Sequence, residues 1–322
     1  MPVIQITNVY KGDVLRIVQN CTPEGFSVRT LQEISEDELI SRVADADYIL
    51  ASGRVKISRA VLEKAKNLKM IQRTGVGLDS LDLDAIKEAG IPLYVNKGVN
   101  SQSVAEHTIL LMLACLRRLT LIDYNSKNGI WNSKEQAIDT RELSGKTVGI
   151  IGMGNIGQRV AEILRAFHAK VLYFSIPRES RETEDSLNIE YVPMDQLLSQ
   201  SDIITLHCPM TPDTKGVINE QTISLMKDGV TIVNTARGGL IDEKALYEAI
   251  ESGKVGFAGL DVHAGEPYDP EDKLILSRRV IATPHIGGVT YDAFEKMISD
   301  AMRNIVLFEK GELEAIQPFR MI

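Results

Sequence analysis

Cysteine is scarce in this 322-residue chain: Cys21, Cys115 and Cys208 stand far apart, forming neither a disulfide framework nor a zinc-ligand pattern. Aromatic residues make up only 5% of the chain, and tryptophan occurs once. Positive charge is not in excess either. The formal net charge is −8 and no long basic run interrupts it, which argues against nucleic acid as a partner. Long hydrophobic runs are missing as well. The most apolar stretch, TILLMLACL (Thr108 to Leu116), is far short of the roughly 20 residues that cross a bilayer, and reads as a buried helix. The N-terminus, MPVIQITNVYKGD, enters a strand-like run without the basic and apolar regions of a signal peptide. These absences predict a cytoplasmic protein with no membrane and no nucleic-acid partner. No cluster of His, Cys and carboxylates has a metal-ligand spacing, so no metal is expected.

What is present is alternation. The first hundred residues hold candidate strands VIQITNV, FSVRTL, YILAS, KMIQR and PLYVN, with the helical patterns SRAVLEKAKNL and LDLDAIKEAG between them. After Asn96 the pattern pauses for one long helix, SQSVAEHTILLMLACLRRL, and a polar stretch from Asn125 to Arg141. It restarts at TVGII and continues through KVLYF, DIITLHC, VTIVNTA, VGFAGLDV and VIATPH, before a last helix, TYDAFEKMISDAMRNIVLFEKG. Such alternation predicts βαβ units and parallel sheets covered on both faces. The expected class is α/β, with two doubly wound parallel-sheet domains and a cleft between them. The boundaries fall at residues 1–100 with 291–322, and at 101–290.

The second domain opens on a nucleotide signature. Gly152, Gly154 and Gly157 form G-x-G-x-x-G directly after TVGII and at the start of a helix, the context that gives this motif its meaning. The first glycine permits the tight turn, the second lets the backbone approach a pyrophosphate, and the third lets helix and strand pack closely. Amides near Asn155 and Ile156 then face the phosphates with the helix dipole behind them. Residues 101–290 therefore read as a dinucleotide-binding domain of Rossmann or flavodoxin-like type. An acid about 20 residues on normally receives the ribose hydroxyl of NAD. Here that position is Ser175, 18 residues past Gly157, with Arg178 and Arg181 behind it. An acid would repel the 2′-phosphate of NADP, whereas Ser can donate to it and arginine can pair with it. NADP is the favoured cofactor and NAD the alternative. The competing reading pairs the arginines with Glu179, Glu182 and Glu184 in a solvated loop.

Three further segments, NTARGG (Asn234 to Gly239), LDVHAGEP (Leu260 to Pro267) and ATPHIGG (Ala282 to Gly288), follow later strands, where open α/β sheets bind ligands. With RTGVGLDSLDL, SVAEHT, LHCPMTPDT and the glycine turn they cover nearly the whole chain. By these motifs the chain resembles the D-isomer-specific 2-hydroxyacid dehydrogenase family, close to its glyoxylate and hydroxypyruvate reductases. The resemblance implies an enzyme that reduces a 2-oxo acid to the D-2-hydroxy acid by hydride transfer. Arg237 matches the family's substrate arginine, whose fork of donors suits a carboxylate beside a carbonyl. His285 matches the proton donor, which stabilises and protonates the oxygen as charge develops. Glu266 matches the acid paired with that histidine. Val76 and Gly77, in the GVG loop, correspond to carboxylate-binding amides, and Asn100 to a neighbour of the same pocket. Residues 1–100 and 291–322 are thus the expected substrate-binding domain. Asp261 matches a contact to the nicotinamide amide, and Thr235, Ala236, Cys208 and Pro209 complete the cofactor groove.

Of the other histidines, His168 reads as structural, His107 as packing and His207 as part of the cofactor loop. His263 competes with His285, because Glu266 lies three residues from it. Members acting on phosphoglycerate carry Arg where this chain has Ser52, although Arg54 or Lys56 stands close by. Formate-type members carry Gln in place of Glu266. The chain also stops at Ile322, soon after the last helix, which predicts no appended regulatory domain. Glyoxylate or hydroxypyruvate is the expected substrate. D-3-phosphoglycerate or a larger 2-hydroxy acid used with NAD is the alternative, and a nucleotide-sensing corepressor-like binding protein is the alternative outside enzymes. A methyltransferase would leave Arg237, Glu266 and His285 unexplained. The family's habit of dimerising through the cofactor domain implies a homodimer.

Overall fold

The apolar runs of the sequence become strands whose alternate residues feed two separate cores, as a sheet covered on both faces requires. The computed structural model describes residues 1–322 and divides into two units, Met1–Asn100 with Thr290–Ile322, and Ser101–Val289. In the first unit the strands are β1 (Val3–Ile6), β2 (Ser27–Arg29), β3 (Tyr48–Ala51), β4 (Met70–Arg73) and β5 (Leu93–Tyr94). All pair in parallel, in the order β2-β1-β3-β4-β5. Ile49 and Ala51 of β3 face a core with Val61 and Ile86, while Tyr48 and Leu50 face Ile298, Met302 and Ile305 of the helix Tyr291–Glu309. Each such fully buried aliphatic side chain contributes roughly 1.5–3 kcal/mol. A buried polar cluster fixes that last helix as well. Asn304 donates to Gln72 and Asn96 at 3.3 and 3.4 Å, and Gln72 donates to Asn96 at 3.1 Å.

The second unit holds β6 (Thr147–Ile151), β7 (Lys170–Phe174), β8 (Ile189–Tyr191), β9 (Ile203–Leu206), β10 (Val230–Asn234), β11 (Val255–Leu260) and β12 (Val280–Ala282). The parallel order is β12-β11-β10-β9-β6-β7-β8. The chain therefore winds outward through β7 and β8, returns to β9 beside β6, and winds the other way. The point of reversal lies between β6 and β9, where the carboxyl ends of strands leave a crevice for ligands.

Three local differences from the sequence reading have physical reasons. Strand β8 was not expected: it is a three-residue edge strand with exposed Glu190 at its centre, too short to show a pattern. The helix after Asn100 ends at Leu116, because Arg118 takes a left-handed backbone (φ 52°) and starts a second helix, Leu119–Lys127. The polar stretch that follows is not wholly irregular, since Ser133–Ala137 forms a further short helix.

Candidate active site

The turn after β6 tests whether this chain's own residues suit a dinucleotide. Gly152 has φ +96°, and a Cβ there would lie 2.5 Å from the Cys208 nitrogen. A Cβ on Gly157 would come within 2.3 Å of the Gly152 oxygen. One at Gly154 would meet nothing within 4 Å, so this glycine borders open space. Those are the three different demands the motif places on its glycines. Gly154 is the N-cap of the helix Asn155–Ala166, and no side chain caps its first turn. The amides of Asn155, Ile156 and Gly157 thus belong to a helix start suited to an anion. Opposite, the loop after β9 is tied to β6 by the His207 amide donating to the Ile151 oxygen at 2.8 Å. Burial drives the His207 imidazole down to about 3 and raises the Cys208 thiol, so both stay neutral there. Cys208 is half-buried and Pro209 exposed.

Ser175 stands at the end of β7, and its hydroxyl accepts from the Met153 amide of the glycine turn at 3.3 Å. Of the two readings of Arg178, the one that pairs it with a neighbouring glutamate is formed. Its Nε and Nη2 donate to the two oxygens of Glu184 at 2.7 and 2.8 Å, and its guanidinium lies 4.8 Å from the Tyr191 ring centre. Tyr173 adds a 2.7 Å hydrogen bond to the same carboxylate. Arg178 first and Tyr173 second hold the Glu184 carboxyl down at about 2. The fork requires Glu184 to reach back one helical turn from Arg181–Leu187, a pairing that spacing alone leaves open. Arg181, at the start of the same helix, makes no direct ion pair, but its charge also helps to lower the Glu184 carboxyl.

The loops after β10, β11 and β12 bring the other residues together. His285 Nδ1 lies 2.7 Å from Glu266 Oε2, and the other Glu266 oxygen accepts the His263 amide at 3.1 Å. A carboxylate accepts only, so Nδ1 carries the proton and Nε2 is the atom left for chemistry. Burial would raise the Glu266 carboxyl, but the bonds from His285 and from the His263 amide outweigh it and leave it below its ordinary range. The rival pairing of Glu266 with the His263 ring is not formed. His263 Nε2 donates instead to the Thr283 oxygen at 3.1 Å, and its ring stands edge-on to Tyr268.

Arg237 follows β10, where Asn234 fixes the turn by donating to the Arg237 oxygen at 2.8 Å and accepting from the Ala236 amide at 3.0 Å. Its Nη1 donates to the Ala236 oxygen at 2.7 Å. The residue after it must be glycine: a Cβ on Gly238 would fall 2.0 Å from the His263 carbonyl carbon. That contact locks the arginine loop against the segment carrying Glu266, and the run of glycines in NTARGG was its one sequence sign. Thr235 is buried, with its hydroxyl 2.9 Å from that of Thr108. Asp261 is 2% exposed and accepts from the Thr283 hydroxyl at 2.6 Å and from the Ile286 and Gly287 amides at 2.9 and 2.8 Å. Burial raises its carboxyl, and His107, Thr283 and the two amides together bring it below the usual range.

In the first unit, Arg73 shapes the GVG loop by donating from Nε to the Gly77 oxygen at 2.7 Å. Val76 is 55% exposed at the loop's tip, and Asn100 is the last residue before the helix Ser101–Leu116. A surface concavity at the amino ends of β7 and β8, lined by Arg165, His168, Lys170 and Glu190, shares no residue with this constellation.

The model of the D-isomer specific 2-hydroxyacid dehydrogenase NAD-binding domain matches residues 109–287. A hydroxypyruvate reductase of Thermotoga maritima is 44% identical over 266 residues, 82% of this chain and 85% of that protein. A D-3-phosphoglycerate dehydrogenase of Archaeoglobus fulgidus is 40% identical over 287 residues, 89% of this chain but 54% of its own length. This chain thus spans about half the length of that relative. The structure of D-lactate dehydrogenase from Aquifex aeolicus, complexed with NAD and lactic acid, matches with a TM-score of 0.88 at 31% identity, covering 99% of this chain and 98% of that one. The chain belongs to the D-isomer specific 2-hydroxyacid dehydrogenase family. It is an oxidoreductase whose second unit contains the family's NAD-binding domain. No helix is long and apolar enough to cross a membrane.

Proposed function

We propose that this protein reduces a small 2-oxo acid, glyoxylate or hydroxypyruvate, to the D-2-hydroxy acid. The observation that carries the reading is the 2.7 Å pair of His285 Nδ1 and Glu266, in the loops after β11 and β12 of the same parallel sheet whose β6 leads into the glycine turn. When bound, the nicotinamide supplies the hydride that reaches the carbonyl carbon. His285 holds a proton on Nε2 for the oxygen on which negative charge builds, and Glu266 keeps the ring in the tautomer and orientation for giving it up. Arg237 binds the substrate carboxylate and polarises the neighbouring carbonyl through its planar fork. Val76, Gly77 and Asn100 are the proposed substrate contacts of the first unit. The turn from Gly152 to Gly157, with Cys208, Pro209 and Ala236, holds the dinucleotide, and Asp261 has an acceptor position left on Oδ2 for its amide. The 44% identity to a hydroxypyruvate reductase supports the substrate class.

NADPH is the proposed reductant. The supports are the missing acid at Ser175 and the positive charge of Arg181, while the Arg178 fork is held by Glu184. Ser175→Asp is expected to lower the ratio of kcat/KM for NADPH over NADH about ten-fold or more, the value of one charge-assisted bond. An unchanged ratio would mean that Ser175 does not read the 2′-phosphate. The substrate test is loss of nicotinamide absorbance with glyoxylate, hydroxypyruvate, phosphohydroxypyruvate, pyruvate and phenylpyruvate, each with both cofactors. Preference for phosphohydroxypyruvate would move the protein to the phosphoglycerate alternative, and no turnover with any acid would favour a nucleotide-sensing binding protein.

The proposed oligomer is a homodimer through the cofactor unit, in a cytoplasmic setting. Leu119, Tyr124, Trp131 and Ile138 of that unit are all more than half exposed, and tryptophan at 88% is the most open. Light scattering is expected to give twice the chain mass of 35.6 kDa for the wild type and the single mass for Trp131→Glu. A wild type that scatters as a single chain would end this part of the proposal.

A further inference from the structure

We propose that His107 is a positioning residue for the proton donor, acting through Thr283 and Asp261. The inference rests on the assignment of His285 as that donor. It starts from backbone geometry: His285 adopts a left-handed conformation (φ 55°), uncommon for a residue with a side chain, so its surroundings must impose it. They do so mainly through Asp261, with the Thr283 oxygen also accepting from the His285 amide at 3.0 Å. The His285 amide donates to the Asp261 carbonyl oxygen at 2.7 Å, the Ile286 amide to Asp261 Oδ1 at 2.9 Å and the Gly287 amide to Asp261 Oδ2 at 2.8 Å. Three consecutive amides around the catalytic ring thus end on a single buried aspartate.

That aspartate is itself held from the opposite side. Its carboxylate accepts only, so the Thr283 hydroxyl, 2.6 Å from Oδ1, is the donor. Having given its one proton, that hydroxyl accepts from His107 Nε2 at 3.0 Å. The same Nε2 stands 3.4 Å from Asp261 Oδ1. His107 therefore carries its proton on Nε2, and the chain of bonds runs from the helix Ser101–Leu116 to Thr283, to Asp261, and to the backbone at residues 285–287. There is no slack in it. A Cβ on Gly287 would lie 2.8 Å from Asp261 Oδ2 and 3.1 Å from His107 Cδ2, so the ring also closes the space beside the segment. A histidine that served packing alone would not need its Nε2 aimed at the hydroxyl that fixes the aspartate. Misplacing a reacting group by about 1 Å costs on the order of 10²-fold in rate, so partial release of this segment should show in turnover.

The test compares His107→Phe, which keeps the ring volume without the donor, with His107→Gln, which restores an N–H, and Thr283→Val with Thr283→Ser. His107→Phe and Thr283→Val are expected to lower kcat roughly ten-fold each, with KM for the 2-oxo acid and the dissociation constant for NADPH held within about two-fold. His107→Gln and Thr283→Ser are expected to recover most of the loss. The double variant should be no worse than either single one, since both break the same chain of bonds. Imidazole resonances of His285 in solution should shift in both donor-less variants, a readout independent of turnover. Wild-type kcat in His107→Phe, an effect on KM alone, or additive losses in the double variant would each overturn the inference. If His107→Phe does not fold, the Thr283 pair and its spectra decide. A fully active His285→Ala would instead remove the parent assignment, whereas an inactive His285→Ala beside a normal His107→Phe removes only this inference.

Discussion

Replacing His285 with alanine is expected to lower kcat for 2-oxo acid reduction by about 10²–10⁴-fold, the usual worth of a positioned proton donor. Binding of the reduced cofactor, read by nicotinamide fluorescence, should stay within about two-fold, because the ring is no part of the glycine turn. The fold should survive. The Glu266 side chain is 37% exposed, so water takes the place of the imidazole and no buried charge is stranded. His263→Ala provides the contrast: its ring donates to the Thr283 oxygen and makes no hydrogen bond to Glu266, so most turnover should remain. Were His263→Ala the inactive variant and His285→Ala the active one, the proton donor would have been misassigned.

The second large effect is expected at Arg237. Loss of a guanidinium fork from a carboxylate and a developing oxyanion removes two charge-assisted bonds of about 1.5–3 kcal/mol each. Arg237→Ala should therefore reduce kcat/KM by roughly 10²–10³-fold or more, through both a raised KM and a lowered kcat. Arg237→Lys should recover little, because a point charge on a flexible stem cannot bind two oxygens in one plane. The loop itself should keep its shape, since Asn234 holds the backbone on either side of the arginine and Gly238 seats it against His263. Near-normal kcat/KM in Arg237→Ala would assign the arginine to the surface of the loop and leave substrate binding to other groups.

Much of the fold was legible because buried parallel strands have to be apolar on both faces. TVGII, DIITL and VTIVN read as strands for that reason and became β6, β9 and β10. Strand β8 was not legible, because three residues at a sheet edge with one glutamate outward carry no period. The break at Arg118 was hidden for another reason: arginine is a good helix former, and nothing in RRL announces a left-handed turn. In the site, residue types and motifs named the chemistry, but not who holds whom. Arg178 stood near three acids, and only the folded loop selects Glu184. Asp261 was expected to serve the cofactor, while the structure surrounds it with donors from the segment 283–287, an arrangement that depends on two different strand ends meeting. His107, expected to pack, packs and donates.

The left-handed backbone at His285 has a consequence for how this enzyme can change. Glycine would occupy φ 55° at about 1–2 kcal/mol less strain than a residue with a side chain, so folding and turnover prefer different residues at this one position. With His285 as the proposed proton donor, selection against backbone strain alone would favour glycine there at the expense of turnover. On the proposed role of His285, turnover opposes that drift and keeps the histidine in place.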